Sequence, residues 1–137
     1  MSDLSVGTSI VPVRVTGEHF ALARMVRNVV DNAVRHARTR VELSCTESGG
    51  FAVIAVDDDG PGISEAERER VFDRFVRLDA SRTREEGGAG LGLAIVAGTV
   101  SAHGGSVTVV RSLLGGARFE IAIPCDGQVP ATETARR

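Results

Sequence analysis

The chain has no lysine; all 16 of its basic residues are arginine. That single absence excludes a phosphate-loop lysine, the strand lysine of a protein kinase and a Schiff-base lysine, so any phosphate held here must be met by arginine, a metal ion or backbone amides. There is little excess charge of either sign, a net of -2 over 137 residues, which argues against a general binder of nucleic acid or anionic membrane. Long apolar runs are missing as well, with no stretch near a membrane-spanning length and no charged-then-apolar signal at the amino end. The two cysteines, Cys45 and Cys125, lie far apart without metal-ligand spacing and read as small hydrophobes in a reducing compartment, which places the domain in the cytoplasm.

What is present is enough apolar sequence, 42%, to bury one core, and we expect one domain over residues 1–125 followed by a disordered polar tail over 126–137. Ile10 to Thr16 is β-rich but contains Pro12, which suits an edge strand. From Glu18 to Ala37 the period becomes helical, with Leu22, Met25, Val26, Val29, Ala33 and Val34 on one stripe and Arg24, Asn28, Asp31, Asn32 and Arg35 on another. Val41, Leu43 and Cys45 alternate with polar residues, and Ser48-Gly-Gly50 turns the chain into a second strand from Phe51 to Val56. Ser64-Glu-Ala-Glu67 has the form of a capping box opening a short helix through Phe72. Val76 to Gly88 reads as a mobile arginine-bearing loop, and Leu91 to Ala102 as a helix closed by Gly104-Gly105. Two strands, Ser106 to Arg111 and Phe119 to Pro124, complete the pattern across Gly115-Gly116.

Three segments carry chemistry. Asn28 and Asn32 are poor helix formers one turn apart in a helix, with Arg35 and His36 continuing the same side, so amide oxygens and cationic donors can converge on one ligand. Magnesium suits such hard oxygens, although a solvated helix face would carry the same pair. Asp58 ends a strand and is followed by Gly60-Pro-Gly62. An ionised carboxylate accepts the exocyclic amino proton of adenine, which guanine does not offer at that edge, and bare backbone can approach a flat ring. An ordinary Asp-Gly-Pro-Gly turn is the alternative. Asp57 and Asp59 are a second candidate cation pair, against which the opposite facing of adjacent strand residues argues. Gly88, Gly90 and Gly92 stand where loop becomes helix, and the exposed amides and dipole there can receive phosphate. No acidic residue about twenty positions on completes a dinucleotide fingerprint.

Asn28-Val-Val-Asp-Asn32-Ala-Val-Arg-His36 resembles the N box of sensor histidine kinases, Asp58-Asp-Gly60-Pro-Gly62-Ile the G1 box, Val71-Phe72-Asp-Arg-Phe75-Val-Arg77 the F box, and Gly88-Ala-Gly90-Leu-Gly92-Leu the G2 box, in the family's order. The resemblance spans residues 10 to 124. It implies an α/β fold, a two-layer sandwich of the Bergerat type with a mixed sheet packed against helices and a flexible ATP lid. It implies further that Asn32 binds Mg2+ with the help of Asn28, that Arg35 and His36 lie by the phosphates, and that Asp58 reads adenine in a pocket lined by Gly60 and Gly62. Gly88, Gly90, Leu91 and Gly92 would wrap the phosphates, Arg77, and Arg82 or Arg84, would reach in from the lid, and Phe72 and Phe75 would anchor it.

In the gyrase and heat-shock chaperone relatives a glutamate one turn before the metal asparagine activates water. Asn28 stands there and is no base, so the implied enzyme is an ATP-dependent protein histidine kinase, catalytic domain only. Its partners would be ATP, a histidine-bearing dimerisation domain and, indirectly, a response regulator, with no nucleic acid and no membrane insertion by this domain. The implied parent is a membrane-bound sensor kinase, this domain being part of its cytoplasmic portion. A stand-alone anti-sigma-type serine kinase and a non-catalytic nucleotide-binding module are the alternatives.

Overall fold

A computed structural model describes residues 4–73 and 89–125, with backbone alone at 89–91. The expectations placed on the arginine loop, on Phe75, Arg77, Arg82, Arg84 and Gly88, on the Leu91 side chain and on the tail lie outside the described residues.

Five strands, β1 (Ser5–Ile10), β2 (Arg40–Ser48), β3 (Phe51–Asp58), β4 (Ser106–Arg111) and β5 (Ala117–Pro124), form one sheet in the order β1-β2-β3-β5-β4. β1 runs parallel to β2 and every other pair is antiparallel, so the sheet is mixed as the resemblance implies. Two helices, α1 (His19–His36) and α2 (Ala89–Ala102), cover one face. β5 shows why: Ala117, Phe119, Ile121 and Ile123 are buried against the helices while Arg118, Glu120 and Ala122 between them face the other way. Met25, Val29 and Ala33 of α1 and Leu93, Val96 and Val100 of α2 close on that row.

α1 begins where the Glu18 side chain accepts the Ala21 amide at 2.7 Å, and Arg35 places positive charge against its carbonyl end. Val34, read as part of the packing stripe, is 40% exposed instead; Val30 is packed in its place, since the buried row follows 22, 26, 29, 30 and 33 around the helix. α2 ends in a Schellman motif: Gly105 N–H reaches Val100 O at 2.9 Å and Gly104 N–H reaches Ser101 O at 3.1 Å.

Two further expectations are corrected. The first strand lies at Ser5–Ile10, earlier than Ile10 to Thr16. Its last rung is Val11 N–H to Cys45 O at 2.9 Å, and Pro12, with no N–H to give, ends the pairing. The segment after Ser64 is two 3-10 turns, Glu65–Glu67 and Arg70–Phe72, in place of a capped helix. The Glu67 amide goes to the Ser64 carbonyl at 2.9 Å, and the Glu67 carboxylate is drawn off to Arg70 at 2.7 Å, so neither half of a capping box forms. Among the described residues no helix is long and apolar enough to cross a membrane.

Candidate functional site

The end of β3 is the place where the chain brings its polar groups together. Three consecutive aspartates leave that strand in three directions, each with its own set of donors.

Asp58 turns into the helix-side core and is 2% exposed. Its Oδ1 accepts the Gly60 amide at 2.8 Å and the Ala117 amide at 3.3 Å. Among the described residues no hydrogen bond reaches Oδ2. A buried carboxylate with one oxygen engaged by backbone and the other unused is an acceptor waiting for a donor, because an unmet buried polar atom is costly. The surrounding backbone is close enough to demand glycine at two places. A side chain on Gly60 would collide with the His36 carbonyl, and one on Gly116 would collide with Oδ1 of Asp58 itself.

Asp59 steps off the strand and clamps the α1–β2 connection. Its Oδ1 accepts the amides of Arg38 at 2.8 Å, Thr39 at 3.0 Å and Arg40 at 3.1 Å, while Oδ2 takes the Thr39 hydroxyl at 2.6 Å. The Thr39 hydroxyl and then its amide hold this carboxyl well below the usual carboxylate range. Asp57 faces the helix-free side of the sheet and receives Ser112 and Arg118. Asp57 and Asp59 therefore do not converge on a cation. The Glu120 carboxylate, followed by the Asp57 charge, raises the Arg118 guanidinium above its ordinary value.

The helix wall of the site is looser. Asn28 and Asn32 are both half-buried on α1, and the Asn28 amide nitrogen donates to Gly92 O across to α2 at 3.5 Å, at the long end for such a bond. His36 spends its Nδ1–H on Asn32 O at 2.8 Å, so only Nε2 remains for a ligand. His103 is fully engaged: Nδ1–H donates to Thr99 O at 2.7 Å and Nε2 accepts the Glu18 amide at 3.1 Å. Among the described residues no three His, Cys, Asp or Glu side chains cluster as a metal cage, so a cation held at this wall would take amide oxygens and the ligand's own phosphates.

Of the residues singled out in the sequence, Asn28 on α1 reaches Gly92 on α2, while Gly60, bonded to Asp58 just past β3, lies against the His36 carbonyl at the end of α1. Gly62 sits with φ 77° against Gly116, and Gly90 is in the first turn of α2. Phe72 packs edge-on to Phe119 with ring centroids 6.0 Å apart, which fixes the end of the segment leading toward residue 75. Sequence reading missed Gly116, the Ala117 amide, the Ser112–Asp57 pair and the Asp59 clamp. Gly115-Gly116 was visible as a turn, but only the antiparallel pairing of β3 with β5 shows that it lies against Asp58.

The chain matches the family of histidine kinase-, DNA gyrase B-, and HSP90-like ATPases over residues 17–127. It is similar to the sensor protein RstB of Escherichia coli K12, 46% identical over 114 residues, a match that covers 83% of this chain and 26% of RstB. The chain thus spans about a quarter of the length of that relative. Among solved structures it is similar to the mycobacterial sensor histidine kinase MprB, with a TM-score of 0.78 at 33% identity over 89% of this chain and 82% of the other. It is also similar to full-length ShkA in complex with AMPPNP, with a TM-score of 0.76 at 30% identity over 89% of this chain and 26% of the other.

Proposed function

Because this chain belongs to the histidine kinase-, DNA gyrase B-, and HSP90-like ATPase family, as an ATP-binding domain of the sensor histidine kinase kind, we propose that it presents the γ-phosphate of ATP to a histidine carried on a separate dimerisation domain. The observation that carries this reading is Asp58, buried and with one carboxylate oxygen held by the Gly60 and Ala117 amides while the other lacks a hydrogen bond among the described residues. Adenine supplies the missing donor through its exocyclic amino group; guanine presents a carbonyl at that edge and would set two acceptors against each other.

Asn32 holds Mg2+ in this reading, with the Oδ1 of Asn28 beside it, and the chemistry magnesium supplies when bound is neutralisation of charge on the phosphate oxygens. The donor set fits, being two half-buried amides on one helix face. Arg35 contributes positive charge toward the phosphates, and His36, at the same end of α1, has Nε2 left for a contact there. The glycines at the start of α2 offer amides and the positive end of a helix. Arg77, Arg82, Arg84 and Gly88 complete the phosphate end.

Water is a poor substrate for such a site. Asn28 donates to Gly92 O and has no basic group with which to take a proton, so positioning of an outside nucleophile replaces activation of water. Of the domain's own histidines, His103 is ill suited to be that nucleophile, since both of its ring nitrogens are engaged. The parent's sensing segments and a response regulator complete the pathway. No observation favours the serine kinase or the non-catalytic module.

The test is a transfer assay: the chain, ATP and magnesium are mixed with a histidine-bearing hairpin domain from its parent kinase. Acid-labile phosphate on the hairpin, dependent on Asn32, is the expected result. Acid-stable phosphate on a serine, or efficient labelling of the chain's own histidines, would overturn the assignment.

A further inference from the structure

Asp57 precedes the base-reading aspartate by one residue and, because strand side chains alternate, projects from the opposite face of β3. On that helix-free face it is nonetheless only 8% exposed. Its Oδ1 accepts the Ser112 hydroxyl at 2.7 Å and its Oδ2 accepts Arg118 Nη1 at 3.0 Å. Ser112 is 3% exposed and uses every group it has. Besides donating to Asp57, its hydroxyl oxygen accepts the Leu114 amide at 3.0 Å, its own amide donates to Gly116 O at 2.9 Å, and its carbonyl accepts the Gly115 amide at 3.0 Å. The turn between β4 and β5 is thereby built on one buried serine.

The far side of that turn is what touches Asp58. Gly116 N–H donates to Asp58 O at 3.1 Å and Ala117 N–H to Asp58 Oδ1 at 3.3 Å, while the Gly116 α-carbon leaves no room for a side chain beside Oδ1. The 3.3 Å bond has little length to spare, so a small displacement of the turn would break it and leave Oδ1 on the Gly60 amide alone, loosening the set of the carboxylate. We infer that Ser112, oriented by Asp57, is a positioning residue for base recognition: it sets the β4–β5 turn so that Gly116 holds the Asp58 main-chain carbonyl and Ala117, together with Gly60, holds Oδ1, leaving the other carboxylate oxygen aimed at the base. The inference rests on the adenine-binding reading above and deepens it by adding a determinant of base choice that lies behind the sheet.

Ser112→Ala removes the hydroxyl, Ser112→Thr keeps it, and Ser112→Cys fills the space with a much weaker donor. Each variant of the full chain is titrated with non-hydrolysable ATP and GTP analogues, alongside thermal unfolding and amide-resolved hydrogen exchange at Gly60, Gly116 and Ala117. Ser112→Ala is expected to lose about tenfold in affinity for the adenine analogue with the weak guanine binding unmoved, so that selectivity narrows by the same factor. Faster exchange at Gly116 and Ala117 accompanies the loss, and Ser112→Thr restores both. If Ser112→Ala does not fold, Ser112→Cys carries the same comparison with a smaller loss. A variant with a lowered Tm but the wild-type adenine-to-guanine ratio would reduce Ser112 to a purely structural part and overturn the inference. A wild-type chain that shows no adenine preference would instead sink the pocket reading itself, and the exchange data would then decide only whether Ser112 orders the turn.

Discussion

The two walls of the cleft are built to different standards. At the β3 end, Asp58 and its neighbours are held by backbone amides, by Gly60 packed on the His36 carbonyl and by the Asp59 clamp on three successive amides. At the α1–α2 wall, among the described residues, one bond of 3.5 Å, from Asn28 to Gly92, joins the two helices through the asparagine face. A rigid floor suits a flat base, whose recognition depends on one acceptor being where the donor arrives. In the proposed reading, the asparagine wall takes phosphates and a hydrated cation, which would bring their own charge and waters.

The sharpest way to break this contrast is at the floor. Asp58→Ala should cost about a hundredfold in affinity for an adenine nucleotide, in line with a lost hydrogen bond to a charged group of roughly 3 kcal/mol, and should leave the weak affinity for a guanine nucleotide near its wild-type value. Parallel titrations with both analogues measure it. Gly116→Ala follows, with an expected loss of about tenfold, because the added methyl displaces Oδ1 without removing it; a stability loss near 2 kcal/mol in urea unfolding should accompany it.

At the other wall the effects should be smaller and conditional. Asn32→Ala is expected to weaken nucleotide binding about fivefold in the presence of magnesium and scarcely at all in its absence, which a titration with and without chelator would separate. An equal loss under both conditions would mean that Asn32 meets the nucleotide directly.

The Asp59 clamp sharpens the comparison without touching ligand. Its carboxyl is depressed below the ordinary 3.8, chiefly by the Thr39 hydroxyl and amide, so its contribution to stability is complete above about pH 5 and drains away below that as the unfolded state takes up a proton that the native carboxyl resists. The wild-type Tm should fall as pH is lowered through 4 and below. Asp59→Asn should start a few degrees lower at pH 7 and show a flatter acid limb, with nucleotide affinity little changed. An acid limb of unchanged steepness in the variant would assign the acid sensitivity to other carboxylates.

The contrast between the walls also marks what the sequence made legible. The asparagines, Asp58 and the glycine segments could be picked out because each breaks a local pattern: amides within a helix, a carboxylate at a strand end, glycines at a helix start. The helical and hairpin periods placed α1, α2 and the β2–β3 and β4–β5 pairs within a few residues. β1 was misplaced because Ser5-Val-Gly-Thr-Ser-Ile is weakly apolar and its pairing depends on β2, a partner more than thirty residues away. The floor's supports were hidden for the same reason. Ser112 lies 55 positions from Asp57 and Ala117 59 from Asp58, and nothing in the local sequence announces which hydroxyl or amide the β3–β5 register will bring to an aspartate.

The most direct measurement is a calorimetric titration of the chain with a non-hydrolysable ATP analogue and magnesium, with a GTP analogue in parallel. Saturable binding of the adenine nucleotide, with the guanine analogue at least tenfold weaker as expected for one unmatched buried acceptor, is the predicted result. Equal affinity for the two bases would contradict the role assigned to Asp58, whatever the phosphates contribute.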